Sequence, residues 1–502
     1  MKQFFILTFI IFAAGFAPDI AVPTVLAVEA EIPKDVSQKS GFYREEECTV
    51  RGVWRPVRCY SLRRPKTFGS AETIWLKGVI LPSDAAVPEG DPLFILAGGP
   101  GQAASDMAPM MRSIFRSVLR SRDLVFFDIR GTGLSGPVTC ATEDEEDYPP
   151  LTQIDMEEMK SQVGRCYRDH GPELAGATTK MAAEDIEALR IALGAEKINL
   201  WGGSYGTRLA QYYIYAHEKH VRSAILDGVV PFAPSYINET PSNALIALDK
   251  MTKDCAENSA CAAAFPAFDP LALLEELEDT RVIKYAHPVT GRQVTTTTDR
   301  TSVSQVVFSA LYNTGTRAFI PYALTQAISH NNWAPLAVLG DDVGQYLGIQ
   351  TIYIGGRLGI ICSEEQATLQ RAEMAGNAFQ NATALQDIFK SMCEAWPMVD
   401  EPLPVPDAGA FAVPVLFISG ALDPITPPSL ADHSLKYFSN AFHVIQKNGG
   451  HININVPCIN DYATDFIADP EAEQVGPSCI GDGFMPNFIV GPLGSVPEGV
   501  LQ

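Results

Sequence analysis

The chain has 502 residues, of which 46% are hydrophobic and 19% are charged. This length and composition provide for a large buried core and argue against a disordered chain. The formal net charge of −22, with no run of five or more basic residues, predicts a surface that repels phosphate backbones, so nucleic acid is excluded as a partner.

The first residues predict an export signal. Lys2 precedes an apolar stretch over residues 4–16, and small residues follow at plausible cleavage points. Pro18 and Pro23 end the apolar stretch before the roughly 20 residues that a membrane span needs, which favours a cleaved signal over an uncleaved anchor. We therefore expect a signal peptide over residues 1–27 and an exported protein, periplasmic or secreted, without a stable membrane span.

Ten cysteines fit an exported chain, because an oxidising compartment allows an even number to pair completely. No CxxC pair or compact Cys/His cluster is present, which argues against a metal site. The order along the chain suggests sequential disulfides, although sequence alone does not fix the connectivity. The expected pairs are Cys48–Cys59, Cys140–Cys166, Cys255–Cys261, Cys362–Cys393 and Cys458–Cys479.

The first half of the chain predicts alternating strands and helices. Short β-rich runs lie between residues 50 and 82, and "DPLFILAGGPG" and "DLVFFDIRGTGLSG" then each lead bulky apolar residues into glycines, as buried strands do when they end in loops. Between them, Met111, Phe115 and Leu119 have helical spacing within "MMRSIFRSVLRSR". This is a strand–helix–strand unit of the kind found in parallel sheets.

The same alternation continues downstream. "AAEDIEALRIALG" predicts a helix that stops at Gly194, and the strand "KINLW", the helix "YGTRLAQYYIYAHEKH" and the strand "VRSAILDGVV" follow. "VPVLFISG" and "AFHVIQ" predict two further strands late in the chain. Buried parallel strands that alternate with helices predict an α/β fold, with a mostly parallel sheet and helices on both faces.

One long segment interrupts this alternation. Residues 234–406 have a mainly helical pattern, with a possible hairpin around "KYAHPVTGRQVTTTT". We interpret them as a cap insertion over the carboxyl edge of the sheet. The core is then formed by residues 28–233 and 407–502, and we expect the Gly- and Pro-rich tail after Cys458 to wrap the surface.

A G-x-S-x-G pattern spans Gly202 to Gly206, between a predicted strand and a predicted helix. This is the context of a nucleophilic serine on a sharp turn, where small neighbours let the hydroxyl stand clear of the sheet. The alternative is an ordinary glycine turn, because glycine and serine also cluster there. The flanking strand and helix favour Ser204 as a nucleophile.

A serine nucleophile requires a general base that a carboxylate orients. In this architecture the chain order is serine, acid, histidine, each following a strand. Asp423 follows one late strand, and His451 is the one histidine of eight that follows a strand and a Gly-Gly pair. The alternative for Asp423 is a turn former beside proline.

The oxygen of a tetrahedral intermediate needs two N–H donors. The residue after the nucleophile, Tyr205, supplies one in this prediction, and Gly99 in "AGGPGQ" supplies the other. The glycine loop lacks the lysine of a phosphate-binding loop. This chemistry needs no metal and no organic cofactor.

Together these motifs resemble the α/β-hydrolase-fold serine peptidases related to proline iminopeptidase and, more closely, to the bacterial tripeptidyl aminopeptidases. The matching pieces lie between about residues 95 and 455. Ala97 stands where proline iminopeptidases have a histidine, which places the chain nearer the tripeptidyl type. The matching pieces are "GGPG", "DIRGTGLS", "EDIEALRIALG", "GGSYGT", "GALDPITPP" and "GGH".

The resemblance implies an α/β-hydrolase fold with Ser204 as nucleophile, Asp423 as orienting acid and His451 as general base. It also implies that a cap carboxylate holds the terminal ammonium of the substrate, for which "GIICSEEQ" offers Glu364 and Glu365. The alternative for these two glutamates is favourable charge at a helix start.

Three functions remain open from the sequence. The first is an exported aminopeptidase that releases short N-terminal peptides or residues. The second is a carboxylesterase that uses the same three residues, with the cap as a pocket for a small ester, because fold does not fix function. The third is a non-catalytic binding protein, which the presence of all three residues argues against.

Overall fold

The computed structural model describes residues 41–140, 151–153, 155–232, 236–277, 280–287, 291–346, 352–369, 376–472, 476–477 and 486–495. The predicted signal peptide, residues 1–27, lies outside these ranges. No helix in the described ranges combines the length and apolarity needed to cross a membrane.

Within the described ranges, nine strands form one large sheet. Its spatial order is β1-β2-β3-β5-β4-β6-β7-β10-β11. The first three strands and β5 pair antiparallel, whereas all pairs from β5 to β11 are parallel. The predicted mostly parallel sheet is therefore confirmed. The strands are β1 (Tyr43–Cys48), β2 (Val57–Pro65), β3 (Thr73–Leu81), β4 (Leu93–Leu96), β5 (Leu124–Phe127), β6 (Ile198–Gly203), β7 (Val221–Asp227), β10 (Val415–Gly420) and β11 (Ala441–Gln446).

Helices cover both faces of this sheet, as predicted. They are α1 (Ala108–Ile114), α3 (Thr179–Leu193), α4 (Tyr205–His217), α15 (Pro428–Leu435) and α16 (Pro457–Ala468). Helix α2 (Met156–His170) packs away from the sheet, in a separate core with Leu358 and Trp396. Alternate side chains of β4 point to opposite faces of the sheet. Phe94 and Leu96 pack in one apolar core with α3 and α4. Leu93 and Ile95 pack in another with α1 and α16. Both faces of the central strands are thus apolar, because neither meets water.

The segment between β7 and β10 is mainly helical and has its own apolar core around Leu248, Phe308 and Trp333. The predicted hairpin is present as β8 (Arg281–Ala286) and β9 (Gln293–Thr298). The 234–406 boundaries of this cap stay a prediction. Its helices are α5 (Thr240–Glu257), α6 (Ser259–Ala264), α7 (Pro270–Glu275), α8 (Arg300–Ala310), α9 (Thr314–Arg317), α10 (Ile320–Ser329), α11 (Ala334–Tyr346), α12 (Ile354–Glu364), α13 (Ala378–Ala382) and α14 (Leu385–Ala395).

Four of the five predicted disulfides are confirmed. They are Cys48–Cys59, Cys140–Cys166, Cys255–Cys261 and Cys362–Cys393. The fifth expected pair includes Cys479, which lies outside the described residues. Two of the four bonds staple cap helices, and another fastens the edge strands β1 and β2.

Two segments differ from their predicted form. The helix expected over "MMRSIFRSVLRSR" ends at Ile114, because Phe115 leaves the helical region and packs its buried ring against Trp201, 6.1 Å between centroids. The chain after Val456 forms helix α16 rather than only a surface wrap, since Ile459, Ala463 and Phe466 have helical spacing and pack on the sheet. The last segment, β12 (Ile489–Gly491) and β13 (Gly494–Ser495), forms a small hairpin beside the cap.

Candidate active site

Ser204 lies on a sharp turn between β6 and α4. Its backbone has φ +54° and ψ −123°, a strained conformation for a residue with a side chain, and its N–H donates to the carbonyl of Asp227 at 2.9 Å. A Cβ at Gly206 would lie 2.1 Å from the carbonyl oxygen of Leu96, so the helix start can approach β4 only without a side chain. Ser204 itself is partly exposed between buried neighbours.

Asp423 and His451 form a hydrogen-bonded pair beyond β10 and β11. His451 Nδ1 lies 2.9 Å from Asp423 Oδ2, and the same carboxylate accepts hydrogen bonds from the Thr426 hydroxyl and from two backbone N–H groups. Burial acts to raise the pKa of Asp423, but attraction to His451 and these hydrogen bonds outweigh it and lower the pKa. An ionised Asp423 holds the proton on Nδ1 and leaves Nε2 of His451 to act as a base.

Ser204 and His451 each lie beside the end of β7, Ser204 at Asp227 and His451 at Gly228. Ser204 is bonded to the carbonyl of Asp227, and a Cβ placed on Gly228 would lie 2.6 Å from the carbonyl oxygen of His451 and 3.3 Å from its Cε1. The structure thus brings the three predicted residues to the carboxyl ends of neighbouring strands. Their catalytic roles stay a prediction.

Asp227 is a residue of this site that sequence reasoning missed. Its fully buried carboxylate accepts the backbone N–H groups of Asn453, at 3.0 and 3.1 Å, and of Ile454, at 2.8 Å. Burial raises its pKa to about 7. Asp227 therefore anchors the loop that carries His451, and the only sequence signal for it was an acid at the end of a predicted strand.

The glycine loop after β4 lies directly beside the serine. A Cβ on Gly98 would lie 3.0 Å from Ser204 Cβ, and Gly99 and Gly101 have φ of +108° and +102°. Tyr205 is the first residue of α4, where backbone N–H groups have no partner inside the helix. Both predicted oxyanion donors are therefore on segments that adjoin Ser204.

Glu364 lies at the C-terminal end of α12, so the alternative of charge at a helix start is wrong. Its carboxylate accepts the Thr179 N–H at 2.6 Å and the Thr179 hydroxyl at 2.9 Å. The Thr179 hydroxyl lies in turn 2.7 Å from the hydroxyl of Tyr205. Burial raises the pKa of Glu364 to about 7. A contact chain therefore links this glutamate to the residue that follows the serine.

Glu365 has a different partner. Its carboxylate is bonded to the guanidinium of Arg208, which also donates to the carbonyl of Pro231 at 3.0 Å. Both glutamates are buried, 6% and 4% exposed. Because one arginine faces two adjacent carboxylates, ionisation of Glu364 leaves this cluster with one negative charge.

We expect Glu364→Gln to stabilise the protein in alkali but not in acid. The folded-state pKa of about 7 lies above the ordinary 4.5, so the folded protein retains the proton more strongly, and this advantage is lost as the pH rises from 4.5 through 7. The shift corresponds to about 3 kcal/mol at most. Urea unfolding at pH 8 and pH 5 checks this, and the variant should gain stability at pH 8 only. Equal effects at both pH values would contradict it.

One cluster away from this site has the geometry of metal ligands. Glu187, His217 and His220 offer ligand atoms within 4.8 Å of one another. The carboxylate of Glu187 is already bonded to Arg190, at 2.6 and 2.8 Å, and to the Tyr213 hydroxyl, at 2.8 Å. The adjacent guanidinium favours an ion-pair network over a cation site.

Two family models match different parts of the chain, and each part includes residues of the candidate site. A model described as α/β hydrolase fold matches residues 91–253, which include Gly99 and Ser204. A model described as TAP-like protein matches residues 378–479, which include Asp423 and His451.

Three curated relatives differ in what their names say they act on. Serine protease Hip1 of Mycobacterium tuberculosis H37Rv is 25% identical over 433 residues, 77% of this chain and 80% of the relative. Carboxylesterase B of the same organism is 27% identical over 416 residues, 74% and 76% of the two chains. Tripeptidyl aminopeptidase of Streptomyces coelicolor is 31% identical over 146 residues, 26% and 27%. The relatives are hydrolases, and their names include both peptidases and an esterase.

Proposed function

Because this chain belongs to the α/β-hydrolase family, we propose that it is an exported serine aminopeptidase that releases short peptides or single residues from the N-terminus of its substrates. The observation that carries the proposal is the carboxylate of Glu364, whose charge Arg208 does not neutralise because it pairs with Glu365. This carboxylate is linked through Thr179 to Tyr205 beside the serine. Four disulfides support export, since such bonds persist in oxidising compartments.

In the proposed mechanism, His451 takes the proton of Ser204 as the hydroxyl oxygen attacks the scissile carbonyl carbon. Asp423 stabilises the imidazolium that forms. The imidazolium then protonates the leaving amine, the C–N bond breaks, and an acyl-enzyme remains on Ser204. Water, deprotonated by His451, attacks the acyl carbon. The bond from this carbon to the Ser204 oxygen breaks, the imidazolium returns its proton to that oxygen, and the N-terminal product leaves as a carboxylic acid.

The developing oxyanion is held by the N–H groups of Tyr205 and Gly99 in this proposal. Loss of one such donor costs roughly 3 kcal/mol of transition-state stabilisation, so the glycine loop contributes substantially to the rate. The close approach of Gly98 to Ser204 supports this role, because it puts the glycine loop beside the serine that would attack a bound carbonyl.

The terminal ammonium of the substrate is assigned to Glu364 rather than to Glu365. Arg208 already neutralises Glu365, whereas the hydrogen bonds to Glu364 from the described residues come from the uncharged Thr179. An ammonium group would balance the charge of Glu364 and lower its pKa. This pairing favours substrates with a free amino terminus.

A paired substrate test decides the proposal. Wild type should cleave a fluorogenic tripeptide with a free amino terminus and not its N-acetylated form. Glu364→Gln should weaken kcat/KM for the free tripeptide by about 10- to 100-fold, since it removes a charged hydrogen-bond partner. Glu257→Gln, an exposed cap glutamate, is the matched control and should change nothing.

Two outcomes would overturn the aminopeptidase proposal. Equal cleavage of free and acetylated peptides removes the need for an ammonium site. Turnover of a p-nitrophenyl ester with both peptides untouched favours the second candidate, a carboxylesterase, which the name of one relative supports. The hydrogen-bonded Asp423 and His451 argue against a non-catalytic binding protein.

A further inference from the structure

Helix α12 carries a guanidinium that has no acidic partner among the described residues. The Nε atom of Arg357 is buried and makes no hydrogen bond. Within the same described ranges, no ion pair joins this side chain to a carboxylate. The residue as a whole is only partly buried, so part of it remains accessible.

Aromatic side chains surround this guanidinium. Arg357 Cζ lies 5.0 Å from the centre of the Phe389 ring. Burial lowers the pKa of Arg357, and the groups that oppose this effect are the hydroxyls of Tyr236 and Tyr312. An aromatic face supports the plane of a guanidinium and leaves its N–H edge available for a planar acceptor.

Arg357 lies between the glycine loop and His451. The N–H of Tyr353, one turn before it, donates to the carbonyl of Gly101 at 2.8 Å, and a Cβ on Gly101 would lie 3.0 Å from Arg357 Cβ. On the other side, the Tyr312 ring packs edge-on against His451 with 5.2 Å between centroids. The Tyr312 carbonyl also accepts the His451 N–H at 2.8 Å. The guanidinium therefore borders the place where the scissile bond is proposed to bind.

The same helix presents the opposite charge two turns later. Arg357 and Glu364 are seven residues apart, which places them on one face of α12 at a separation of about 10 Å. Among the described residues, the cation nearest Glu364 is Arg208, which is paired with Glu365, and Arg357 forms no ion pair with a carboxylate. A zwitterionic ligand would neutralise both.

We propose that Arg357 is a substrate-binding residue that holds a carboxylate group of the peptide substrate. This inference rests on the proposed peptidase function and adds an anionic group to the substrate class. The carboxylate could come from the C-terminus of a short peptide or from an acidic side chain. Arginine suits either source, because its fork donates two parallel hydrogen bonds to a carboxylate, which lysine cannot do.

The test compares kcat/KM for tetraalanine and its C-terminal amide, and for tetrapeptide amides that carry Glu or Gln at one position. Wild type should prefer the carboxylate in one of the two pairs by about tenfold or more. The pair that shows the preference identifies the source. Arg357→Gln should lose this preference, so that the two kcat/KM values become equal, and Arg357→Lys should retain part of it. Arg281→Gln is the matched control, since Arg281 also lies over a cap aromatic ring, 5.7 Å from the centre of Trp333, and should keep the wild-type ratio.

The inference is overturned if wild type shows no preference in either pair, or if Arg357→Gln keeps the preference. A uniform loss of activity in Arg357→Gln with an unchanged ratio also overturns it. If wild type cleaves no peptide, the proposed function fails, and the same variants are compared on 4-nitrophenyl hemisuccinate and 4-nitrophenyl butyrate. A preference for the hemisuccinate that depends on Arg357 supports the carboxylate site independently of peptidase activity, and its absence overturns that site too.

Discussion

Replacing Ser204 with alanine should abolish hydrolysis of peptides and esters alike while the fold stays intact. The substitution removes the hydroxyl that is proposed to attack the carbonyl, and the loss of a serine nucleophile reduces kcat by roughly 10⁴- to 10⁶-fold. Alanine has the same Cβ as serine, so the strained turn at φ +54° needs no rearrangement. Thermal unfolding of wild type and variant should therefore give similar midpoints.

Covalent labelling gives this prediction a second readout. A fluorophosphonate should add one mass increment to intact wild-type protein and none to Ser204→Ala, because the reagent reacts with an activated serine. Ser113→Ala, an exposed serine on α1, is the matched control and should be labelled and active like wild type. Retained turnover in purified Ser204→Ala would refute Ser204 as the nucleophile.

The sheet and the serine turn could be predicted because their signals are local. Strand β6, the glycines and helix α4 are contiguous, so the sequence pattern contains the whole turn. The tight approach of Gly206 to Leu96 explains why glycine is needed there. Sequential disulfides were predictable for the same reason, since each confirmed bond joins cysteines that are neighbours in order along the chain.

Residues that act through distant partners could not be predicted. Asp227 holds backbone groups more than 220 positions away, and Arg208 pairs with Glu365 at a separation of 157 residues. Adjacent glutamates have the same local pattern, so only the fold separates a neutralised Glu365 from an unbalanced Glu364. Arg357 has no sequence signature either, because its lack of an acidic partner within the described ranges is a property of the packed structure.

Two residues of the motif "DIRGTGLS", Asp128 and Arg130, have a structural role that the family resemblance did not indicate. Asp128 is buried and accepts N–H groups from Ser105 and Leu134 at 2.8 and 2.9 Å. Arg130 makes two bonds, of 2.7 and 2.9 Å, to the buried Asp185 of α3. These bonds fasten the loop after β5 to its surroundings.

Replacing Asp423 with asparagine should lower kcat by about 10³- to 10⁴-fold without a matching rise in KM. The carboxylate accepts a hydrogen bond from the Nδ1–H of His451 at 2.9 Å, whereas an amide NH₂ in its place would donate to Nδ1 and favour the tautomer with the proton on Nε2. That tautomer cannot take the Ser204 proton. Thr426→Val is the comparison variant, because it removes the hydroxyl that bonds Asp423 at 2.7 Å and leaves the carboxylate in place.

Ester and peptide turnover should fall in parallel in Asp423→Asn, since both reactions need the same base, and labelling of Ser204 by a fluorophosphonate should slow as well. Thr426→Val should lose about tenfold or less, as expected for one hydrogen bond to a charged group. If Asp423→Asn retained activity comparable to that of Thr426→Val, then Asp423 would not orient His451. Asp227, a second buried carboxylate beside that loop, would then be the acid to test, because it already accepts the backbone N–H of Asn453, two residues after His451.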